Sequence, residues 1–435
     1  MLVLTGNGEG RDAENMIRLS PVIQPYSLNK GGKDYIMNEV VIVSACRTAI
    51  AKFMGSLKDV QANDLAITAG RAAMDRIGLE PGIVDELVLG QVLPHGQGSL
   101  PSRQVALALG LPVRSNACNV NQNCASGMRA LEIACNNIAL GKTDIGLVIG
   151  VESMSNIPYI DLKARKGYRM GPVTLEDAML FDGLEDKNVP GHMGMTAENV
   201  AEKYGITREE CDQLALTSHQ RATKAVQEGI FKREIVPVEV ITRKATLTFD
   251  TDEHMIPDAS IESMAKLKPA FKKDGVVTAA NASGINDAAA AVVVMSKTKA
   301  LELGIAPLMK MITITAEGVS PEIMGLGPAV AIPKALKLAG LKFEEIEYWE
   351  INEAFAAQFI GVSRMLEQEH GLVLDMDKCN HNGSGIALGH PVGCTALRIV
   401  VSLYYEMARL GLTLGGASMC VGGGPAMASL WTLQI

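Results

Sequence analysis

No stretch of this chain stays apolar for the roughly 18–20 residues that a bilayer-spanning helix needs. One of its longest apolar runs, Ala288 to Met295, is made of small and β-branched residues and reads as a buried strand. Positive charge is not in excess. The 40 Lys and Arg are outnumbered by 48 Asp and Glu, a net −8 at pH 7, which argues against a nucleic-acid or anionic-membrane partner. The eight cysteines include no C-x-x-C pair, so in a large chain of this kind they read as free thiols, mostly buried and inert. Residues 1–36 lack the apolar core of a secretory signal. They also carry Glu9, Asp12, Glu14 and Asp34, which is wrong for an acid-poor transit peptide. The expected location is the cytoplasm. The same residues show no clear periodicity. They are expected to form a disordered extension, with Met37 as the natural start.

What is present is alternation. Glu39 to Ala45 reads as a strand, Leu65 to Ile77 as a helix closed by Gly78, and Glu86 to Gly90 as a strand. Ser102 to Leu109 and the run from Cys124 to Gly141 read as helices, and Asp144 to Gly150 as a strand. Strand–helix alternation predicts crossovers and a mostly parallel sheet buried on both faces. The pattern then repeats. Ala72 to Gly90 aligns with the stretch ending at Asn352 without a gap, Gly78 falling on Gly340 and Gly90 on Asn352. Cys394 to Leu410 followed by Gly416 to Val421 echoes Cys124 to Gly150. Two pseudo-symmetric layered halves are expected, at 37–152 (completed by about 284–308) and 309–435. The segment between them, 153–283, is more charged and its helices more polar. It reads as an insertion covering a site, or as an unrelated third domain.

Four places can carry chemistry. Cys124 stands among small residues just before a helix, where peptide dipoles favour a thiolate; it is equally readable as a buried small hydrophobe. His390 lies in the glycine-rich run Asn382 to Gly393 and is a base or a turn residue. Cys420 ends an apolar strand and precedes Gly422-Gly423-Gly424, which exposes N–H groups and admits close approach of a ligand. Asn352 ends a buried strand, where ligand sites gather in α/β sheets. A thiolate with a histidine partner, a second cysteine to move a carbon-bound proton, and N–H donors for an oxyanion describe carbon–carbon chemistry on thioesters. Three other patterns are set aside. Gly141-Lys142-Thr143 ends a helix where a phosphate loop would open one. Cys379, His381, His390 and Cys394 match no common zinc spacing, so no metal is expected. The triple glycine opens no dinucleotide-binding helix.

With these residues in place, the chain resembles the thiolases over about residues 38–435. The resemblance rests on Val41 to Thr48, the Cys124 segment, Gly191 to Val200, Asn281 to Asp287, Asn352-Glu353-Ala354-Phe355, Gly389-His390-Pro391 and Cys420 to Gly424. It implies a five-layered αβαβα fold from two pseudo-symmetric halves, with the inserted loop domain capping a CoA site. It implies Cys124 as acyl-carrying nucleophile. His390 would be its activator and a first oxyanion donor, with a water held by Asn352. Cys420 would be the acid/base for the α-proton, and the N–H groups of Cys124 and Gly422 a second oxyanion hole. His192, Met193 and Ser283 would meet the pantetheine arm, and Met324 and Phe355 would line the acyl pocket. The implied substrates are acetyl-CoA, CoA and 3-ketoacyl-CoA, with no cofactor beyond them, in a homodimer or homotetramer. A decarboxylating condensing enzyme is the nearest rival; it would use one cysteine with two histidines, or with histidine and asparagine. Departures from the family pattern at Ala280, Ala396-Leu397 and Pro425-Ala426 bear on acyl-chain preference rather than on the chemistry.

Overall fold

The computed structural model describes residues 27–30 and 33–435, with side chains from Met37 onward. The expectation of disorder at 1–26 and 31–32 lies outside the described residues. Where disorder was also expected just before Met37, Ser27–Lys30 and Lys33–Ile36 pair antiparallel, Ser27 opposite Ile36. This hairpin is a unit by itself, and Asn38–Ile435 is another.

The larger unit is built on one mixed sheet. Its first half holds β1 (Val40–Thr48), β2 (Glu86–Gly90), β3 (Asn116–Val120), β4 (Ile145–Ser153) and β5 (Asn286–Ser296). Its second half holds β6 (Met309–Gly318), β7 (Tyr348–Ile351), β8 (Leu414–Cys420) and β9 (Pro425–Thr432). Every residue of β1, β4 and β5 is buried, which is why most of each strand reads as an apolar run. The strand order is β3-β2-β4-β5-β1-β6-β9-β8-β7. From the β1–β6 joint outward, each half runs first strand, last strand, last but one, second. In the second half an isolated parallel bridge, Trp349 to Cys379, stands where β3 stands in the first. The repeat read from sequence is therefore a repeat of topology.

The sheet is less parallel than expected. β2 pairs parallel with β3 and β4, and β7 with β8. β5 is antiparallel to β4 and β1, and β9 is antiparallel to β8 and β6. β9 follows β8 after only Val421 to Gly424, too short for a crossover, so the pair must be antiparallel.

Helices complete the five layers. Ala62–Asp75 packs on β5, β4 and β1 from outside, and Pro328–Ala339 packs on β9 and β6. Ser126–Ala139 and Val392–Leu410 pack on each other at the centre; the second touches β4, β5 and β1 on one side and β8 and β7 on the other. The inserted segment shares its core with the second half. Val200, Ile206 and Ala215 join one cluster with Phe359, Val362 and Leu366. It is pinned to β1 by the buried Arg47, whose guanidinium meets Glu234 at 2.6 Å and Asp252 at 2.7 Å.

The central helices approach through glycine. A Cβ on Gly127 would stand 2.9 Å from the Leu397 Cβ and backbone N. Gly127→Ala is expected to cost about 1–3 kcal/mol by overpacking, read as a lower urea midpoint. Gly82→Ala, where an added Cβ meets nothing within 4 Å, should stay within about 0.5 kcal/mol.

Candidate active site

Cys124 sits in a tight turn before the helix Ser126–Ala139. Asn123 takes a left-handed φ of 44°. The Ser126 hydroxyl accepts from Gln122 N at 3.0 Å and donates to Asn123 O at 2.7 Å. The turn thus has no slack, and it presents the sulfur to a cavity. Asn123 Nδ2 donates to Gly422 O at 3.0 Å, and the Gly422 N–H bears on the Cys124 thiol, favouring its charged form. The two halves of the repeat meet here.

The expectation that the helix start would make this thiol ionise easily is corrected. Burial pushes it up to about 11, outweighing the N–H of Gly422. The helix begins two residues later, and Cys124 packs against the apolar cluster of Val92, Leu93, Met154, Met179 and Val392. A charge there loses its hydration.

His390 is held from both sides. Its N–H donates to Asn286 Oδ1 at 2.8 Å. Gly389, with φ of 103°, lets the chain pass that amide, which a Cβ would meet at 2.5 Å. His390 Nδ1 lies 2.7 Å from Thr395 Oγ1, and that hydroxyl donates to Pro391 O at 2.9 Å. With its proton so engaged, Thr395 accepts from Nδ1–H, and Nε2 keeps its lone pair. Nε2 is buried and has no hydrogen-bond partner among the described residues. Burial first, then the charge of Arg398, pushes the imidazole down to about 3. At neutral pH the pair is thiol and imidazole, not an ion pair.

Cys420 ends β8 and is buried. Burial and the neighbouring Cys124 push its thiol well up. The chain then turns through Gly423 and Gly424, both with positive φ, and Gly424 N donates to Val421 O at 3.1 Å.

One cavity of about 570 Å³ collects these groups. Cys124, His390, Cys420 and Gly422 line it, and so do His192, Met193, Ser283, Met324 and Phe355. His192 stacks on Phe271 with centroids 4.7 Å apart, and its Nδ1 accepts from Gly194 N at 3.1 Å. Ser283 N donates to Ala354 O at 2.8 Å, joining two wall segments. Asn352 does not line the cavity. It is fully buried at the end of β7, two residues before the wall residue Ala354, and its side-chain amide makes no hydrogen bond among the described residues. Of the residues set aside, His381 is engaged at both ring nitrogens, by Glu406 and by Asp377 O. Gly141-Lys142-Thr143 follows a helix and opens none.

Several residues at the site were not singled out from sequence. Phe271 and His254 line the cavity from the inserted segment. Thr395 and Asn286 fix His390. Glu152 lies at the base of the site, fully buried. Burial pushes its carboxyl up to about 7 against three N–H donors. A glutamate inside the apolar run of β4 was the visible anomaly.

The comparisons agree with this geometry. A family model described as "Thiolase, N-terminal domain" matches residues 40–298, and "Thiolase, C-terminal domain" matches 305–432. An acetyl-CoA acetyltransferase of Chromobacterium violaceum is 49% identical over 391 residues, 90% of this chain and 98% of the relative. The solved structure of an acetyl-CoA acetyltransferase from Syntrophomonas wolfei superposes with a TM-score of 0.90 at 65% identity, covering 92% of this chain and all of that one. Human mitochondrial 3-ketoacyl-CoA thiolase in complex with CoA superposes at 0.86 with 39% identity, covering 92% and 98%. On both domain matches and on near-complete coverage at this identity, the chain belongs to the thiolase family.

Proposed function

We propose that this protein catalyses the reversible Claisen chemistry of thiolases: two acetyl-CoA give acetoacetyl-CoA and CoA, or a 3-ketoacyl-CoA is cleaved by CoA. The observation that carries the reading is the meeting of two cysteines and a histidine with an open Nε2 in one cavity.

In the first half-reaction His390 Nε2 takes the Cys124 proton as the sulfur attacks the thioester carbonyl. The tetrahedral intermediate collapses, CoA departs with that proton, and Cys124 carries the acyl group. The first oxyanion is met by His390 Nε2–H and by a water that Asn352 would hold. In the second half-reaction the Cys420 thiol passes its proton to His390 Nε2, and the thiolate so formed removes an α-proton from the second acetyl-CoA. The carbanion attacks the acyl carbonyl and Cys124 leaves as thiolate, recovering a proton. The N–H groups of Cys124 and Gly422 face the second thioester oxygen. His192, Met193 and Ser283 border the pantetheine arm, while Met324 and Phe355 bound the acyl group. CoA is a substrate, and no further cofactor is proposed. The eight unpaired cysteines support a reducing, cytoplasmic setting. The family resemblance supports a homodimer or homotetramer.

Incubation with acetyl-CoA followed by peptide mass spectrometry should place an acetyl group on Cys124. Cys420→Ser should still accept that group and then fail to condense, with turnover down about a hundredfold or more. Loss of acylation in Cys420→Ser as complete as in Cys124→Ser would defeat the division of labour.

The resting protonation states give a pH prediction. A thiol pushed up to about 11 is protonated throughout the neutral range, and its thiolate fraction grows about tenfold per pH unit below that value. Iodoacetamide alkylation of Cys124 should therefore keep accelerating from pH 7 to pH 9. A plateau below pH 8 would show a thiolate already formed.

A further inference from the structure

The acceptor beneath the site is Glu152. Its Oε2 accepts from Val92 N at 2.9 Å and from Gly393 N at 3.1 Å, and its Oε1 accepts from Leu93 N at 3.2 Å. These donors come from different parts of the chain. Val92 and Leu93 follow β2, in the first half. Gly393 is the second residue of the central helix Val392–Leu410, in the second half.

Each arm leads to a reacting group. On one side, Val92 O accepts from Asn121 Nδ2 at 3.2 Å, and Asn121 Oδ1 accepts from Asn123 N at 2.9 Å. Asn123 is the left-handed residue before Cys124, and its own amide reaches Gly422 O. On the other side, Gly393 lies three residues after His390, inside the helix whose Thr395 fixes the imidazole. The approach is close enough to require glycine. A Cβ on Gly393 would stand 2.5 Å from Val151 O and 2.7 Å from Glu152 Oε2.

We propose that Glu152 is a positioning residue: its carboxylate ties the loop of the nucleophile Cys124 to the helix of the base His390 across the seam between the halves. This rests on the thiolase reading of the cavity. Two carboxylate oxygens accept all three N–H groups without conflict. A glutamine offers one acceptor oxygen and sets an NH2 against an incoming N–H. Glu152 lines no part of the cavity, so its replacement acts through the distance between sulfur and Nε2 rather than through substrate contact. Rates fall steeply when reacting groups are misplaced by about an ångström.

The test uses the full chain in acetoacetyl-CoA thiolysis, with acetylation of Cys124 followed by rapid-quench mass spectrometry. Glu152→Gln should lower kcat and the acetylation rate about ten- to a hundredfold, with KM changed less than about threefold. Glu152→Asp, which keeps the charge, should recover part of that loss. Asn121→Ala breaks the nucleophile arm at an exposed residue and should show a smaller fall in kcat at unchanged KM; it carries the test if Glu152→Gln does not fold. Wild-type kcat in a folded Glu152→Gln with only a lower melting temperature would overturn the proposal. So would wild-type kcat in Asn121→Ala, or equal changes in kcat and KM. Failure of the unsubstituted protein to acetylate Cys124 would instead remove the thiolase reading, and this proposal with it.

Discussion

The close approach of the two central helices is the constraint on which the site depends. Ser126–Ala139 starts just after Cys124, and Val392–Leu410 starts just after His390. They bring these residues to one cavity because Gly127 leaves no side chain where the helices meet, and Gly150 and Gly393 leave none where the second helix lies on β4. A Cβ on Gly150 would meet Gly393 O at 2.9 Å, and one on Gly393 would meet Val151 O at 2.5 Å. The five layers are then a consequence. Each helix must cover a sheet face, and two helices in contact leave each half of the sheet its other face for an outer helix. Neither half holds the site alone: Cys124 belongs to the first, while His390, Asn352 and Cys420 belong to the second.

Burial sets the electrostatics of this seam. It holds the Cys124 thiol up at about 11 and the His390 imidazole down at about 3, so both rest neutral. Proton transfer between them in the empty site is strongly uphill. It becomes favourable only as the sulfur bonds to a carbonyl and negative charge moves to an oxyanion facing hydrogen-bond donors. Burial that would be a defect in a simple thiolate nucleophile thus limits wasteful reactions of the resting enzyme. The tautomer that makes Nε2 the base follows from Pro391, whose carbonyl takes the Thr395 proton.

Much of this was legible in the sequence. The repeat was readable because each half needs the same alternation of apolar strand and helix, and the same glycines close its helices. Cys124, His390 and Cys420 were readable because each stands beside small residues that packing alone does not require. The roles of β5 and β9 were not. An apolar run shows burial but not direction, and only the shortness of the link from Cys420 to Pro425 revealed the antiparallel turn. Glu152, Thr395 and Asn286 were hidden for another reason. They act through hydrogen bonds to backbone far away in the chain, 241 residues away for the contact of Glu152 with Gly393, and no local pattern marks such a partner. The ease of ionisation expected of Cys124 failed because a helix N-terminus was weighed without the desolvation around it.

The walls of the cavity divide labour between chemistry and recognition. The sulfur atoms and the imidazole come from the two halves, but much of the enclosure comes from the inserted segment. Phe271 stacks on His192 and meets Phe355 edge to face with centroids 6.3 Å apart, so an inserted-segment ring bridges to the second half. That ring fits only because residue 194 is glycine; a Cβ there would stand 2.3 Å from it. The segment is anchored elsewhere, by Arg47 to Glu234 and Asp252 and by the core it shares with Phe359 and Leu366. Its cavity-facing residues can therefore change without moving the catalytic groups, whose positions are fixed by the helix crossing. Substrate preference and catalytic geometry are separable in this architecture, because different contacts hold the wall and the seam.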